Sequence, residues 1–171
     1  VHSLLSEETE LIRLENELKE KRVSIKQRTA LYELINSKTA TQSKQIAELA
    51  ESALAEKKKK IRNYNAGLIC FFGAYIKRYA NLMLLAENES MMSTAELGMA
   101  IGESLRYLGN MNIPCAYVGN VDVNIPTDNV VLLYEIFERL VEESLSSLKA
   151  VYVKVENSSG IILKIILEGV S

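Results

Sequence analysis

The chain has 171 residues, 48% hydrophobic and 25% charged, which suits a soluble globular protein of one large or two small domains. Its net charge of −2 leaves no overall basic excess to draw it to nucleic acid. With one histidine, His2, and two distant cysteines, Cys70 and Cys115, most imidazole general-base and phospho-acceptor chemistry, cysteine–histidine metal sites and a disulfide framework are excluded.

Residues 4–55 contain neither Gly nor Pro. One seam falls at Leu11, Leu18, Ile25, Tyr32, Thr39, Ile46 and Ala53, and the other at Leu14, Lys21, Arg28, Ile35, Gln42 and Leu49. That seven-residue repeat predicts a long helix packed in a coiled coil or bundle, because a lone helix of this length cannot bury its own stripe. The polar seam positions Lys21, Arg28, Thr39 and Gln42 cost stability and can set register. Lys57 to Lys60 read as a solvated turn or helix start. A second helix is predicted over 57–86, with the stripe Ile61, Tyr64, Leu68, Phe71, Phe72, Tyr75, Tyr79, Leu82 and Leu85. Its longest apolar run, 66–76, is too short to span a bilayer. A link near Glu56 folds the two helices into an antiparallel hairpin. Two hairpins complete a four-helix bundle, so the expectation is a twofold homodimer. Its interface is expected to use Leu11, Leu14, Leu18, Ile25, Tyr32, Ile35, Ile46, Leu49, Leu68, Phe72, Tyr75 and Leu82.

The pattern changes after Glu89. Ser93 or Thr94 caps a helix bearing Leu97, Ile101, Leu105 and Leu108 and ending near Gly109. Gly98 and Gly102 lie one turn apart and read as close packing. Strands are predicted at 115–118, ending at Gly119 and Asn120, and at 121–125, stopped by Pro126. Thr127 is expected to cap a helix over 128–146. Residues 149–156 turn through Asn157-Ser158-Ser159-Gly160 into 161–168 as a hairpin. The buried stripe of helix 128–146 is expected to be Val130, Leu133, Phe137, Leu140, Val141, Ser144 and Leu148. Glu135, Glu138, Glu142 and Glu143 are then left on a solvated or partner-facing side. The fold class is α+β: a long helical hairpin, 1–88, followed by a small α/β sandwich, 89–171, with helices on one face of a sheet. Both cysteines are expected to be buried thiols in a reducing, cytoplasmic setting. No signal peptide is visible, and the chain reads as a piece of something longer.

This element order resembles the cytoplasmic core of sensor histidine kinases. The text YIKRYANLMLL, 75–85, followed by AELGMAIGESLRYL, 95–108, looks like the second hairpin helix and first sandwich helix of a divergent bacterial branch. The resemblance implies a dimerising hairpin, a partial ATPase-like sandwich and a place in a two-component system. In the family an N-L-x-x-N-A signature helps hold Mg²⁺ and phosphates. Laid on IFERLVEES, 136–144, its asparagines fall on Glu138 and Glu142, the two cofactor-binding candidates. A carboxylate can bind Mg²⁺ but repels a triphosphate unless the metal lies between. The family's phospho-acceptor histidine has no counterpart in LYELINSKTATQSKQI, 31–46, and its D-x-G-x-G loop is not seen where LEGVS stands. Spo-type phosphotransferases, which resemble kinases with a decayed ATP domain, also need a histidine.

The expected function is therefore a signalling module without autophosphorylation, with no catalytic residue, metal or cofactor of its own. The alternatives are a truncated active ATP-dependent protein kinase, using ATP and Mg²⁺, and a dimeric structural adaptor. Expected partners are a second copy, a response-regulator-like protein or an upstream sensor domain. No nucleic acid is expected, and a membrane only through a segment outside this chain.

Overall fold

The computed structural model describes the backbone of residues 2–119 and 121–169, and side chains from residue 9 onward. His2, Asn120 and the last residues of LEGVS, which carried sequence readings, therefore lie wholly or in their side chains outside the described residues. The architecture is α+β, with long helices and small sheets. Its helices are α1 (His2–Ala55), α2 (Lys59–Asn88), α3 (Thr94–Asn110) and α4 (Thr127–Ser144). Its strands are β1 (Met91–Ser93), β2 (Cys115–Val118), β3 (Asn124–Pro126), β4 (Leu148–Asn157) and β5 (Ile161–Gly169).

The chain forms two compact units, Val1–Lys38 and Thr39–Ser171. The first is helical. Its seam residues Leu11, Leu14, Leu18, Ile25 and Tyr32 are between 45% and 64% exposed, while Ile35 is buried. Exposed ion pairs join Arg13 to Glu10 and Glu17.

In the second unit, the end of α1 runs back along α2 as the heptad pattern requires. Thr39 is buried, and Gln42, Ile46, Leu49 and Ala53 are half-buried at the same three-four spacing. The Asn65 side-chain amide donates to Ser52 Oγ at 3.2 Å, and Leu49 and Gln45 line one groove with Leu68 and Phe72. The exposed lysines 57–60 span the link and the start of α2. There the backbone N–H of Lys58 is satisfied by Glu56 Oε1 at 2.7 Å.

By length and composition α2 is apolar enough to cross a membrane, although its longest uninterrupted apolar run is short. Here it serves as a core helix, burying Phe71, Phe72, Ala74, Tyr75, Tyr79 and Leu82. The Tyr75 ring packs against Tyr134 of α4 in a tilted arrangement, with centroids 5.8 Å apart. Phe72, Tyr75 and Leu82, expected at a dimer interface, are thus already covered within the chain. A helix with neighbours on several sides buries more than one stripe.

Ser93 is the N-cap of α3, accepting from Ala95 N at 2.9 Å. The α3 C-terminus passes Gly109, and Asn112 takes the left-handed turn at φ 64°. Gly98 does serve close packing: a Cβ there would meet the Tyr117 hydroxyl at 2.8 Å. Gly102 does not, since nothing lies within 4 Å of the equivalent point.

Two departures concern the 121–126 segment. Only Asn124–Pro126 pairs as a strand, with β1. The backbone of Val121 and Val123 is claimed by Thr94. Thr94 Oγ1 donates to Val121 O at 2.7 Å, Thr94 N donates to Val123 O at 2.9 Å, and Val123 N donates to Thr94 Oγ1 at 3.2 Å. Thr127 is not the cap: it is the first residue of α4, its hydroxyl donates to Ser90 O at 3.4 Å, and the N-cap position is Pro126, which makes no side-chain cap bond.

The main sheet has the order β2-β4-β5, with β2 parallel and β5 antiparallel to β4. The parallel pair needs a crossover, which α4 supplies. Inward-facing Val151, Val153 and Val155 of β4 are buried. The α4 helix is covered from both α2–α3 and the sheet, so its buried row differs from the expected one. Val130, Val131, Tyr134, Phe137, Glu138 and Val141 are buried, whereas Leu140 is exposed and Leu133 half-buried. Cys70 is exposed and Cys115 half-buried, correcting the expectation of two buried thiols.

Candidate functional site

The acidic residues of α4 meet three different fates. Glu143 is exposed and pairs with Arg139 one turn away, the solvated face expected of it. Glu142 is half-buried, and Gln42 Nε2 of α1 donates to its Oε2 at 2.8 Å. Glu138 is 3% exposed, so the solvated reading fails for it.

Glu138 sits one turn beyond Tyr134 and faces α3. The Ser104 hydroxyl donates to Glu138 Oε1, and Ser104 Oγ lies 3.3 Å from the Tyr134 hydroxyl. Burial pushes the Glu138 carboxyl up to about 8. Hydrogen bonds from Ser104 and Tyr134 favour the charged form but do not overcome burial, and the nearby Glu142 carboxylate adds to the rise. Glu138 is therefore largely neutral at pH 7.

Around this carboxyl lies a row of tyrosines. Tyr75 and Tyr79 of α2 are four residues apart with ring centroids at 5.7 Å, and Tyr75 leads on to Tyr134. Burial raises all three hydroxyl pKa values. Glu135 reinforces this at Tyr75 and, with a hydrogen bond, at Tyr79, which reaches about 12. The acids Glu135, Glu138 and Glu142 thus meet hydroxyl and amide partners on the helices beneath them.

A second buried acid, Glu103 of α3, has a different solution. It receives hydrogen bonds from Lys77 and Arg78 of α2, with Arg106 Nη2 at 3.6 Å. Burial alone would raise its pKa, but the bonds and charges of Lys77 and Arg78 outweigh it and hold the carboxyl below the usual range. Glu103, Ser104 and Tyr134 were not singled out by sequence reasoning. The available signal was polar residues inside apolar helical text: Lys77-Arg78 within 66–85, and Glu103-Ser104 between Ile101 and Leu105.

The residues do not fit a nucleotide-bound magnesium. Of the two family-matched positions, Glu138 is closed off by Ser104 and Tyr134, and Glu142 is engaged by Gln42. Among the described residues no group of three metal-ligating side chains converges. An open groove of about 620 Å³ lies elsewhere, lined by Gly102, Arg106, Gly109, Asn112, Cys115 and Tyr117 and by none of these glutamates. Its Cys115 thiol is pushed by burial up to about 11 and is not a ready nucleophile.

No protein-family model matches the chain. No curated protein matches it either. Among solved structures it is similar to one described as the 1.7 Å structure of a bacterial phosphotransferase. The TM-score is 0.45 and the identity 14%, over 79% of this chain and 63% of that one. The chain thus spans less than two thirds of that neighbour's length. At this score and identity the likeness assigns no activity.

Proposed function

We propose that this chain is a dimeric, non-catalytic signal-transduction module of the kind its element order resembles, the core of a sensor histidine kinase. The observation that supports this reading is the engagement of the α4 acids. The positions that would serve a nucleotide and metal are turned onto other helices, Glu142 onto Gln42 of α1 and Glu138 onto Ser104 and Tyr134. Gln42 is one of the polar positions of the α1 seam, so a change in the rotation or register of α1 reaches α4 through one hydrogen bond. The exposed seam from Leu11 to Tyr32 favours a second copy of the chain as the partner that covers it. In this reading the module works on the cytoplasmic side and passes a conformational signal to a partner protein.

The test is a calorimetric titration of Mg-ATP into the chain, with a Glu142→Ala control. No binding is expected. Micromolar binding that weakens in the control would overturn the proposal in favour of a nucleotide-dependent enzyme.

A further inference from the structure

The β5 strand, Ile161–Gly169, lies at the edge of the main sheet. It runs in continuous register with β4 from Ala150–Glu168 to Asn157–Ile161, and the one irregularity falls at Leu148/Ala150 of β4. Of the usual protections of an edge it has no Pro, no bulge of its own and no inward-pointing charge; its two charges, Lys164 and Glu168, both lie on the outer row.

Its inward row is only partly covered. Val151, Val153 and Val155 of β4 are buried, yet their partners Leu167, Ile165 and Leu163 are half-buried. The core therefore continues to an open margin where another strand with an aliphatic inner row would complete it. On the outer row, Ile162 and Ile166 are 46% and 42% exposed. Lys164 sits directly opposite Lys154, and the one acid of β4 within its reach, Glu156, is already paired with Lys154. Neither Lys164 nor Glu168 is in an ion pair among the described residues.

The five residues KIILE, 164–168, are self-complementary when read against a reversed copy. Centred on Ile166, an antiparallel pairing sets each Lys164 opposite a Glu168 on the outer face. It sets each Ile165 opposite a Leu167 on the inner face, and places the two Ile166 residues across the axis. We infer that the β5 edges of two copies of this chain pair antiparallel about a twofold axis at Ile166, joining their three-stranded sheets into one continuous sheet. The pairing supplies each margin with backbone partners and an aliphatic inner row, and gives Lys164 an acid of its own where on β4 it shares Glu156 with Lys154. It goes beyond the proposed signalling role and does not depend on it, because it uses none of the α1 seam.

The experiment is oxidative cross-linking of the full chain in a Cys70→Ser, Cys115→Ala background. Residues opposite one another across an antiparallel pair have Cα atoms about 4.5–5.5 Å apart, within disulfide range. Ile166→Cys is therefore expected to cross-link to its symmetry mate. Ile162→Cys is not, because two copies of position 162 would lie about 27 Å apart in this register. Lys164→Glu is expected to slow the Ile166→Cys cross-link about tenfold or more, and Lys164→Glu with Glu168→Lys to restore it. That rescue separates lost pairing from a failure to fold. Equal cross-linking at 162 and 166, or indifference to the charge reversal, would overturn the inference. So would protection of the β5 edge amides from hydrogen exchange in a sample shown to be monomeric, which would give the edge to another occupant.

Discussion

The hydroxyl of Ser104 on α3 donates to the carboxyl of Glu138 on α4, and among the described residues no cation stands beside that carboxyl. The residue next to Ser104 on α3, Glu103, is by contrast a carboxyl that receives Lys77 and Arg78. Two buried acids from neighbouring positions in space thus titrate in opposite directions, one held neutral and one held charged.

The first consequence is a pH dependence of stability. The folded-state pKa of Glu138, about 8, lies above the ordinary 4.5. Between those values the folded chain holds a proton that the unfolded chain releases. Stability from this group is greatest at the acid end, falls as pH rises by up to about 1.4 kcal/mol per unit, and levels above pH 8. Glu103 does not act in this window, since its lowered pKa confines its loss to more acid conditions. Denaturant unfolding at pH 5, 6, 7 and 8 is expected to show the decline, and Glu138→Gln to flatten it, so that the variant is the more stable protein at pH 8.

The second concerns Glu103→Gln. The substitution weakens the bonds from Lys77 and Arg78 but leaves both cations able to reach water, since their side chains are 54% and 28% exposed. The expected cost is about 1–3 kcal/mol, less than for stranding a fully buried charge. Arg78→Ala is expected to cost more than Lys77→Ala, because Arg78 is the less exposed partner. Chemical denaturation at pH 7 orders the three variants.

The third concerns Gly67 of α2. A Cβ at this position would come within 2.3 Å of Met111 Cγ. Gly67→Ala removes a poor helix former, a gain of about 1 kcal/mol in an open helix, but here Met111 must move. In a Met111→Ala background the same change is expected to stabilise. A double-mutant cycle by thermal unfolding should give a coupling of about 1 kcal/mol or more. Additive behaviour would mean that Met111 does not pack on Gly67.

Much of the element order was legible because it rests on local chemistry. The heptad spacing from Leu11 to Ala53, the break near Glu56, the Ser93 cap and the alternation flanking Asn157–Gly160 each reflect backbone geometry and side-chain periodicity within a few residues. The short strand β1 was not legible, since Met91–Ser93 becomes a strand only by meeting Asn124–Pro126. The 121–125 strand was over-read because alternation cannot report that Thr94 takes the hydrogen-bonding groups of Val121 and Val123.

The candidate site divides along the same line. Helical spacing by itself determined that Glu138 and Glu142 share one side of α4 and that Glu143 can pair with Arg139. It could not determine which of these acids loses its water. Glu138 is buried because α4 is covered from two sides, and a helix in that position draws polar residues inward with its apolar ones. Whether such a residue stays charged is then decided by what the neighbouring helices bring to it. Glu103 meets Lys77 and Arg78, and Glu138 meets only hydroxyls. Those partners lie 25 to 34 residues away along the chain, and only the packing of α2, α3 and α4 sets their distances.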